Sequence, residues 1–258
     1  MSDDEAVSSS SRLAQVLSNT VSTLRDDTFE RDKETPPVNQ RKIKRFLRKN
    51  SSFDMQSIST SMDKRNESKV LVLYTGGTIG MVRNAQGALA PAPNALEQKI
   101  RTTCTLHDEE YSSQRFGSLG DNLDQPFLLP LVLPHVHGHR RVIYSIYEYN
   151  PLLDSSNMQM EDWIQIAKDV EDAYELFDGF VILHGTDTLA YTASALSFML
   201  ENLGKPVIVT GSQIPSFETR SDGRDNFVGA LILAGNFNIP EVSVYFRHQL
   251  MRGNRFVR

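Results

Sequence analysis

The sequence predicts an α/β fold in which helices cover both faces of a parallel sheet. From Val70 onward, short apolar runs rich in β-branched residues alternate with segments whose apolar residues recur at helical spacing. Polar loops with threonine follow two of these runs, as the active-site loops of open parallel sheets do. This order of strand and helix is typical of right-handed crossover units, which place successive strands in parallel.

Five strands are predicted, each from an apolar run rich in β-branched residues. In chain order they cover 70–74, 142–147, 179–183, 206–210 and 241–246. Residues 102–138 have only weak patterning, and no element is predicted there.

Four helices are predicted from apolar residues at helical spacing. The first covers 96–101, and the fourth covers about 225–234. The third runs from Leu189 to Leu203 and ends at Gly204, a residue typical of helix C-termini. The second follows Ser155 or Ser156 as its N-cap, and its apolar stripe consists of Met160, Trp163, Ile164, Ala167, Val170 and Tyr174.

The composition limits the classes of function. A chain of 258 residues is long enough for one or two domains with a sizeable core. Its 27 basic and 32 acidic side chains give a net charge of −5, which offers no overall basis for binding nucleic acid. Cys104 is the only cysteine, so an intrachain disulfide and a cysteine-based zinc site are excluded. No stretch approaches the roughly 18 apolar residues of a membrane helix, and we expect a cytoplasmic protein without a membrane partner.

Residues 1–66 differ from the rest and are predicted to be a disordered tail before a domain at 67–258. They are rich in serine and charge and contain few large apolar residues, too few to offset the entropy of ordering. Apolar residues on one face of 13–24 leave open a helix induced by a partner, and the basic run at 41–49 leaves open a binding patch for acidic groups.

Three loops that follow predicted strands carry the candidate chemistry. They are Tyr-Thr-Gly-Gly-Thr-Ile-Gly-Met at 74–81, His-Gly-Thr-Asp-Thr at 184–188 and Gly-Ser-Gln-Ile-Pro at 211–215. Because active sites of open parallel sheets lie at the carboxyl ends of the strands, these loops suggest an enzyme with a threonine nucleophile.

Other interpretations of these residues stay open. The glycines at 76–80 are compatible with a phosphate-binding loop or a tight structural turn, although the spacing of known nucleotide loops is absent. Asp187 is also a candidate N-cap for the following helix. His135, His137 and His139 would align as metal ligands on a strand, but their surroundings favour a polar loop, and no metal site is predicted.

Four motifs, at 75–81, 153–158, 184–188 and 221–223 with 252–255, occur in an order and spacing that resemble the cytosolic (type I) L-asparaginase family. The resemblance spans about residues 68–255. It implies the Rossmann-like parallel sheet of the family's N-terminal domain. It also implies hydrolysis of L-asparagine to L-aspartate and ammonia without a metal, nucleotide or organic cofactor.

The resemblance assigns roles to individual residues. Thr78 would be the nucleophile that forms an acyl-enzyme, and Thr186 with Asp187 would be the second catalytic pair. Carboxylates would bind the ammonium group of asparagine, and hydroxyls and backbone amides would bind its α-carboxylate. The substrate-binding residues implied in this way are Asp154, Ser155, Ser156, Thr186 and Asp187.

Two features depart from the family pattern. Some members use a tyrosine from the loop after the first threonine, whereas residues 79–110 contain none. Arg258 stands where the family has its catalytic lysine, and the family's C-terminal domain is expected to be absent. We therefore expect this chain alone to hydrolyse asparagine poorly. The alternatives left open are a catalytically silent truncated isoform or binding module and a related amidase or lysophospholipase. A homo-oligomer, or pairing with a longer isoform, is also left open.

Overall fold

The computed structural model describes residues 43–48, 66–120 and 129–257, apart from the side chains of 118–120. The described helices are α1 (43–48), α2 (Ala95–Arg101), α3 (Glu109–Gly120), α4 (Met160–Ala173), α5 (Leu189–Met199) and α6 (Asp222–Asn236). The strands are β1 (Glu67–Gly76), β2 (Val82–Arg83), β3 (Leu89–Ala90), β4 (Leu131–Val132), β5 (Arg141–Leu153), β6 (Gly179–Leu183), β7 (Val207–Thr210), β8 (Val242–Phe246) and β9 (Gln249–Arg252).

Seven strands form one sheet in the order β4-β5-β1-β6-β7-β8-β9. The five strands from β5 to β8 in this order are parallel to their neighbours, and the edge strands β4 and β9 run antiparallel. The remaining strands, β2 and β3, form a separate antiparallel pair. The predicted α/β class with a mainly parallel sheet is therefore confirmed, and the antiparallel edges are an addition to it.

Strand β1 lies inside the sheet, between β5 and β6, and is buried on both faces. Leu71 and Leu73 belong to one core cluster, whereas Val70, Val72 and Tyr74 belong to the other. Because successive strand residues point to opposite faces, a continuous apolar run is what a strand covered on both sides requires. This burial explains why the run at 70–74 was recognisable in the sequence.

Two groups of helices cover the two faces of the sheet, one group on each face. Residues of α1, α4 and α5 pack in the cluster with Leu71 and Leu73, and residues of α2 and α6 pack in the other. Within the part of the chain that is described, no helix is long and apolar enough to cross a membrane.

Helix α1 lies inside the segment that was predicted to be a disordered tail. Its Ile43 is fully buried and its Leu47 is 6% exposed, so at these six residues the structure differs from the prediction. Apolar residues at spacings of three and four gave α1 a buried face that the serine-rich composition around it concealed. Residues 1–42 and 49–65, including the face predicted at 13–24, lie outside the described residues.

Two predicted helix ends are wrong. Helix α5 stops at Met199 rather than Leu203, with Leu200 as its C-cap, before Gly204 is reached. The N-cap of α4 is Gln159 rather than Ser155 or Ser156, and the Gln159 backbone N–H donates to the Asp162 carboxylate at 2.9 Å. The two serines instead begin a short 3₁₀ helix, Ser155–Asn157.

Candidate active site

The predicted site residues lie in the loops that follow β1, β5 and β6, and these three loops begin side by side at the carboxyl ends of the strands. Gly76 at the end of β1 pairs with Leu153 at the end of β5. On the other side of β1, Tyr74 pairs with Leu183 at the end of β6. The structure therefore brings together the loops that contain Thr78, the 154–156 segment and the Thr186–Asp187 pair, at the edge where parallel sheets bind ligands.

Two glycines allow the backbones of these loops to touch. Gly77 has φ of +87°, and a Cβ atom added to it would lie 2.5 Å from the Cα of Gly185. A Cβ atom on Gly185 would lie 2.6 Å from the Cβ of Ser155. Larger residues would push the loops apart, so the glycines set the distance between the two threonine segments and the serine loop.

The two threonines of the first loop are in different environments. Thr75 is buried, and its hydroxyl donates to the Leu183 carbonyl at 2.9 Å, which ties β1 to β6. Thr78 is half-buried and begins the 3₁₀ helix Thr78–Gly80. Thr75 therefore stabilises the sheet, whereas Thr78 is the threonine of this loop that is partly exposed.

The serine loop, residues 154–156, is anchored by a hydrogen bond to the loop at 184–188. Ser155 is 5% exposed, and its carbonyl accepts the Thr188 hydroxyl at 2.7 Å. Asp154 is exposed and accepts the Ser156 backbone N–H at 3.0 Å, which forms the turn that presents both side chains to solvent. The structural role of Thr188 was not predictable from the sequence, because a contact between separate loops leaves no local pattern.

In the loop at 184–188, Thr186 is half-buried and Asp187 is exposed. The proposed alternative for Asp187 as an N-cap is wrong, because the N-cap of α5 is Thr188. Thr188 makes no capping bond with its side chain, and its hydroxyl donates to the Ser155 carbonyl.

A chain of hydrogen bonds through the buried residues His184 and Thr192 supports the loop at 184–188. The Trp163 indole N–H donates to the Thr192 hydroxyl at 2.9 Å, and that oxygen lies 2.9 Å from Nε2 of His184. Because an indole only donates, the Thr192 proton is left for Nε2, and Nδ1–H donates to the Gly185 carbonyl at 2.6 Å. Burial lowers the pKa of His184, which keeps this imidazole neutral.

The hairpin of β2 and β3 follows the first loop and is held by an ion pair. The Arg83 guanidinium donates to both carboxylate oxygens of Glu218, at 2.9 and 3.3 Å. Nearby, the Ser216 backbone N–H donates to the Ile79 carbonyl at 3.1 Å. These bonds connect the segment after Thr78 to the segment after β7.

Tyr74 is the tyrosine nearest in sequence to Thr78, and it lies under Gly80. The side chain is fully buried, and burial followed by the charge of Glu148 raises its pKa far above neutrality. Since Tyr74 stays protonated at neutral pH, it is unsuited to act as a general base.

The segment 211–215, which was predicted to be a candidate active-site loop, is hydrogen-bonded to the start of α6. The Asp222 carboxylate accepts the backbone N–H groups of Gln213 and Ile214, at 3.1 and 3.0 Å. Ser221 caps α6 by accepting the Gly223 N–H at 2.9 Å. The motif at 221–223 thus holds this segment against the start of α6.

The histidines at alternate positions lie in the predicted loop. Residues 133–136 have no regular structure, and 137–139 form a turn. His139 packs its ring against Phe237, with centroids 5.7 Å apart. Among the described residues, no group of three His, Cys, Asp or Glu side chains is arranged to hold a metal ion.

Comparison with known proteins identifies relatives over the region that contains these loops. The family model described as "Asparaginase, N-terminal" matches residues 69–258. An L-asparaginase of Dirofilaria immitis is 55% identical over 192 residues, which are 74% of this chain and 31% of that protein. L-asparaginase 1 of Escherichia coli K12 is 47% identical over 186 residues, 72% of this chain and 46% of that protein.

A second type of name occurs among the relatives. The mouse 60 kDa lysophospholipase is 48% identical over 189 residues, 73% of this chain and 32% of that protein. Among solved structures, L-asparaginase I of Vibrio cholerae aligns with a TM-score of 0.56 and 43% identity over 73% of this chain and 47% of that one. The chain spans less than half the length of each of these relatives.

Proposed function

The chain belongs to the asparaginase family through its N-terminal domain, and we propose that its site serves the hydrolysis of L-asparagine to L-aspartate and ammonia through a threonine acyl-enzyme. Because Arg258 stands at the position of the family's lysine, we expect the rate to be low. The observation that carries the proposal is the backbone contact between Gly77 and Gly185. This contact holds the Thr78 loop against the Thr186–Asp187 loop, as a reaction that uses both would require.

Covalent catalysis suits this substrate because an amide carbonyl is a poor electrophile and ammonia is a poor leaving group. The Thr78 oxygen attacks the side-chain carboxamide carbon, the C–N bond breaks, and nitrogen leaves as ammonia after it takes up the hydroxyl proton. Water then cleaves the aspartyl ester and restores the hydroxyl. Thr186 and Asp187 are proposed as the second catalytic pair, and no metal, nucleotide or organic cofactor takes part in these steps.

Charge stabilisation is proposed to come from the backbone. Attack on the amide places negative charge on the carbonyl oxygen, and N–H groups near Gly77 or Gly185 are candidate donors to it. Each such donor contributes about 3 to 4 kcal/mol to the transition state in known hydrolases. Because His184 fixes the Gly185 carbonyl from behind, the peptide that follows it is also fixed in orientation.

The substrate is proposed to bind across the loops at 154–156 and 184–188. We propose that the exposed carboxylates of Asp154 and Asp187 bind its ammonium group and that the exposed Ser156 hydroxyl binds its α-carboxylate. Ser155 is buried beside Gly185, so we propose that its hydroxyl lines the floor of the site.

The test compares two threonines of the same loop. Thr78→Val removes the proposed nucleophile at nearly constant shape, and we expect it to abolish ammonia release and the acyl adduct seen by mass spectrometry with a slow substrate. Thr75→Val removes a hydroxyl that bonds to Leu183, so it should lower stability while the adduct still forms. An adduct on Thr78→Val would reject the assignment.

A related hydrolase activity is the second candidate, favoured by the lysophospholipase name of the mouse relative. A threonine acyl-enzyme cleaves an ester by the same two steps as an amide. A panel of asparagine, glutamine, simple amides and lysophospholipid would separate the candidates by their kcat/KM values. Binding of asparagine without turnover of any of them would instead indicate a binding module.

Location and assembly are proposals of the same kind. The lone exposed thiol of Cys104 suits a reducing compartment, and we propose the cytoplasm, to be tested with a fluorescent fusion. A homo-oligomer or pairing with a longer isoform would appear in native mass spectrometry of the protein from its source.

A further inference from the structure

Helix α1 precedes the region that the asparaginase family model matches, yet it is part of the core. The family match begins at residue 69, whereas Ile43 is fully buried and Leu47 is 6% exposed. The Phe46 ring packs against Tyr147 with ring centroids 5.3 Å apart. Anchors at positions i, i+3 and i+4 are those of an amphipathic helix seated in an apolar groove.

The groove is formed by β5 and α4. Phe46 contacts Tyr147 of β5, and Lys44 of α1 lies 3.7 Å from the carboxylate of Asp172 on α4. Ile43 and Leu47 belong to the same core cluster as Val170 of α4. Helix α1 therefore bridges a strand and a helix that are neighbours in sequence.

The charges of the two helices are complementary. Three of the six residues of α1 are basic, Lys44, Arg45 and Arg48, and α4 contains Glu161, Asp162, Asp169, Glu171 and Asp172 against one lysine. An exposed ion pair such as Lys44–Asp172 contributes little by itself. The apolar anchors therefore hold α1, and the charges favour its binding to this groove over an uncharged one.

The proposed substrate loop connects the two elements that α1 contacts. Strand β5 ends at Leu153, one residue before Asp154, and α4 begins at Met160. Below α1, the Tyr149 hydroxyl of β5 donates to the Asp169 carboxylate of α4 at 2.5 Å, and Tyr149 packs edge-on against Tyr147. The two ends of the 154–159 loop are thus fixed by the pair of elements that α1 covers.

We propose that α1 is a strap that clamps β5 to α4, and that its release loosens the 154–159 loop and weakens substrate binding. The substrate part of this proposal rests on the proposed function, whereas the coupling of α1 to the loop does not. In this proposal, residues 43–48 position the loop through the two elements that they contact.

The test uses the full chain and a buried and exposed pair of variants. Leu47→Asn keeps the side-chain size but places an amide in the groove, and Arg45→Asn makes the same residue on the exposed side of α1. Hydrogen exchange by mass spectrometry reads out each segment. We expect Leu47→Asn to raise exchange about tenfold or more in 43–48 and in 154–159, while β6 and β7 remain protected. Arg45→Asn should leave 154–159 unchanged.

Trp163 supplies a second readout, because it is the only tryptophan and lies in the first turn of α4. Its emission should shift to longer wavelength in Leu47→Asn and stay constant in Arg45→Asn. The dissociation constant for asparagine, from calorimetry, should rise severalfold in Leu47→Asn only. Ile43→Ala, a milder truncation, should move each readout in the same direction by less.

Two results would overturn the proposal. One is wild-type exchange at 154–159 in Leu47→Asn while 43–48 is unprotected. The other is simultaneous loss of protection in the whole sheet for both Leu47→Asn and Ile43→Ala, which would make α1 an ordinary part of the core. Absence of asparagine binding by the wild-type chain would reject the proposed function, but the exchange data would still decide the coupling.

Discussion

At the scale of single residues, Gly77 determines how closely the two threonine loops approach. It has a positive φ, and the space for a side chain is occupied by the backbone of Gly185. Gly87 also has a positive φ, +79°, but a Cβ atom there would meet nothing within 4 Å. The two glycines therefore separate the effect of crowding from that of backbone conformation.

We expect Gly77→Ala to unfold more easily than Gly87→Ala by about 1 to 3 kcal/mol, the usual range for inserting an atom into a packed site. Urea unfolding of both variants measures the difference. Gly77→Ala should also lose ammonia release, because its two loops are forced apart. Equal stabilities of the two variants would mean that the loops separate without cost and do not form a rigid site.

Asp187 allows a test of charge at nearly constant shape. We expect Asp187→Asn to weaken asparagine binding by about 1.5 to 3 kcal/mol, the range for a hydrogen bond to a charged group. Thermal unfolding of the same variant shows whether the loss of affinity is measured on folded protein. Calorimetry with unchanged affinity would contradict the contact with the ammonium group.

At the scale of elements, the hairpin of β2 and β3 is attached to the body by Arg83 and Glu218. The side chain of Arg83 is 58% exposed, so solvent screens the pair, and a double-mutant cycle with Arg83→Gln and Glu218→Gln should give a coupling of about 0.2 to 1 kcal/mol. Each single variant should speed proteolysis within 84–88, and added salt should do the same to the wild type. Resistance equal to the wild type would show that other contacts hold the hairpin.

The elements that were predictable are those with a long buried pattern. Each of the five predicted strands exists, because a strand covered on both faces needs a run of apolar residues that is visible in sequence. Strands β2, β3 and β4 have two residues each, too few to show any period. Helix α3, in the stretch left without an element, has only weak amphipathic patterning, and Phe116 is the one buried apolar residue among its described side chains.

The site also has a part that was predictable from the sequence and a part that was not. Hydroxyls after apolar runs were recognisable because the topology of a parallel sheet determines where such loops meet. The contacts between loops, such as Thr188 with Ser155 or Gly77 with Gly185, depend on strand register and leave no local signal. The assignments of Thr78, Thr186, Asp154 and Ser156 stay predictions until the variants are measured.

At the scale of the whole molecule, stability should depend on the buried carboxyl of Asp169. Burial raises its pKa from 3.8 to about 6, although hydrogen bonds from Tyr149 and Gln165 oppose the shift. The folded state thus holds this proton more tightly than the unfolded state. Its contribution is fully present below about pH 3.8 and is lost as the pH rises through about 6.

Asp169→Asn should remove this dependence. Relative to the variant, the wild type is expected to lose up to ~3 kcal/mol of unfolding free energy between pH 4 and 7, a figure that follows from a shift of about two pKa units. Denaturant unfolding across that range measures it. Glu171→Gln, an exposed change on the same helix, should follow the wild type, and a parallel course of the Asp169→Asn curve would exclude Asp169 as the source.

The two short antiparallel strands at the borders of the sheet affect how the protein behaves at high concentration. An unpaired strand edge is a template on which another chain can add strands and start a fibril. Strand β4 has two residues, and β9 has four, among them Arg252 in an ion pair with Glu241. Such brief and charged borders offer a poor template, so the folded sheet should tolerate crowding without polymerising.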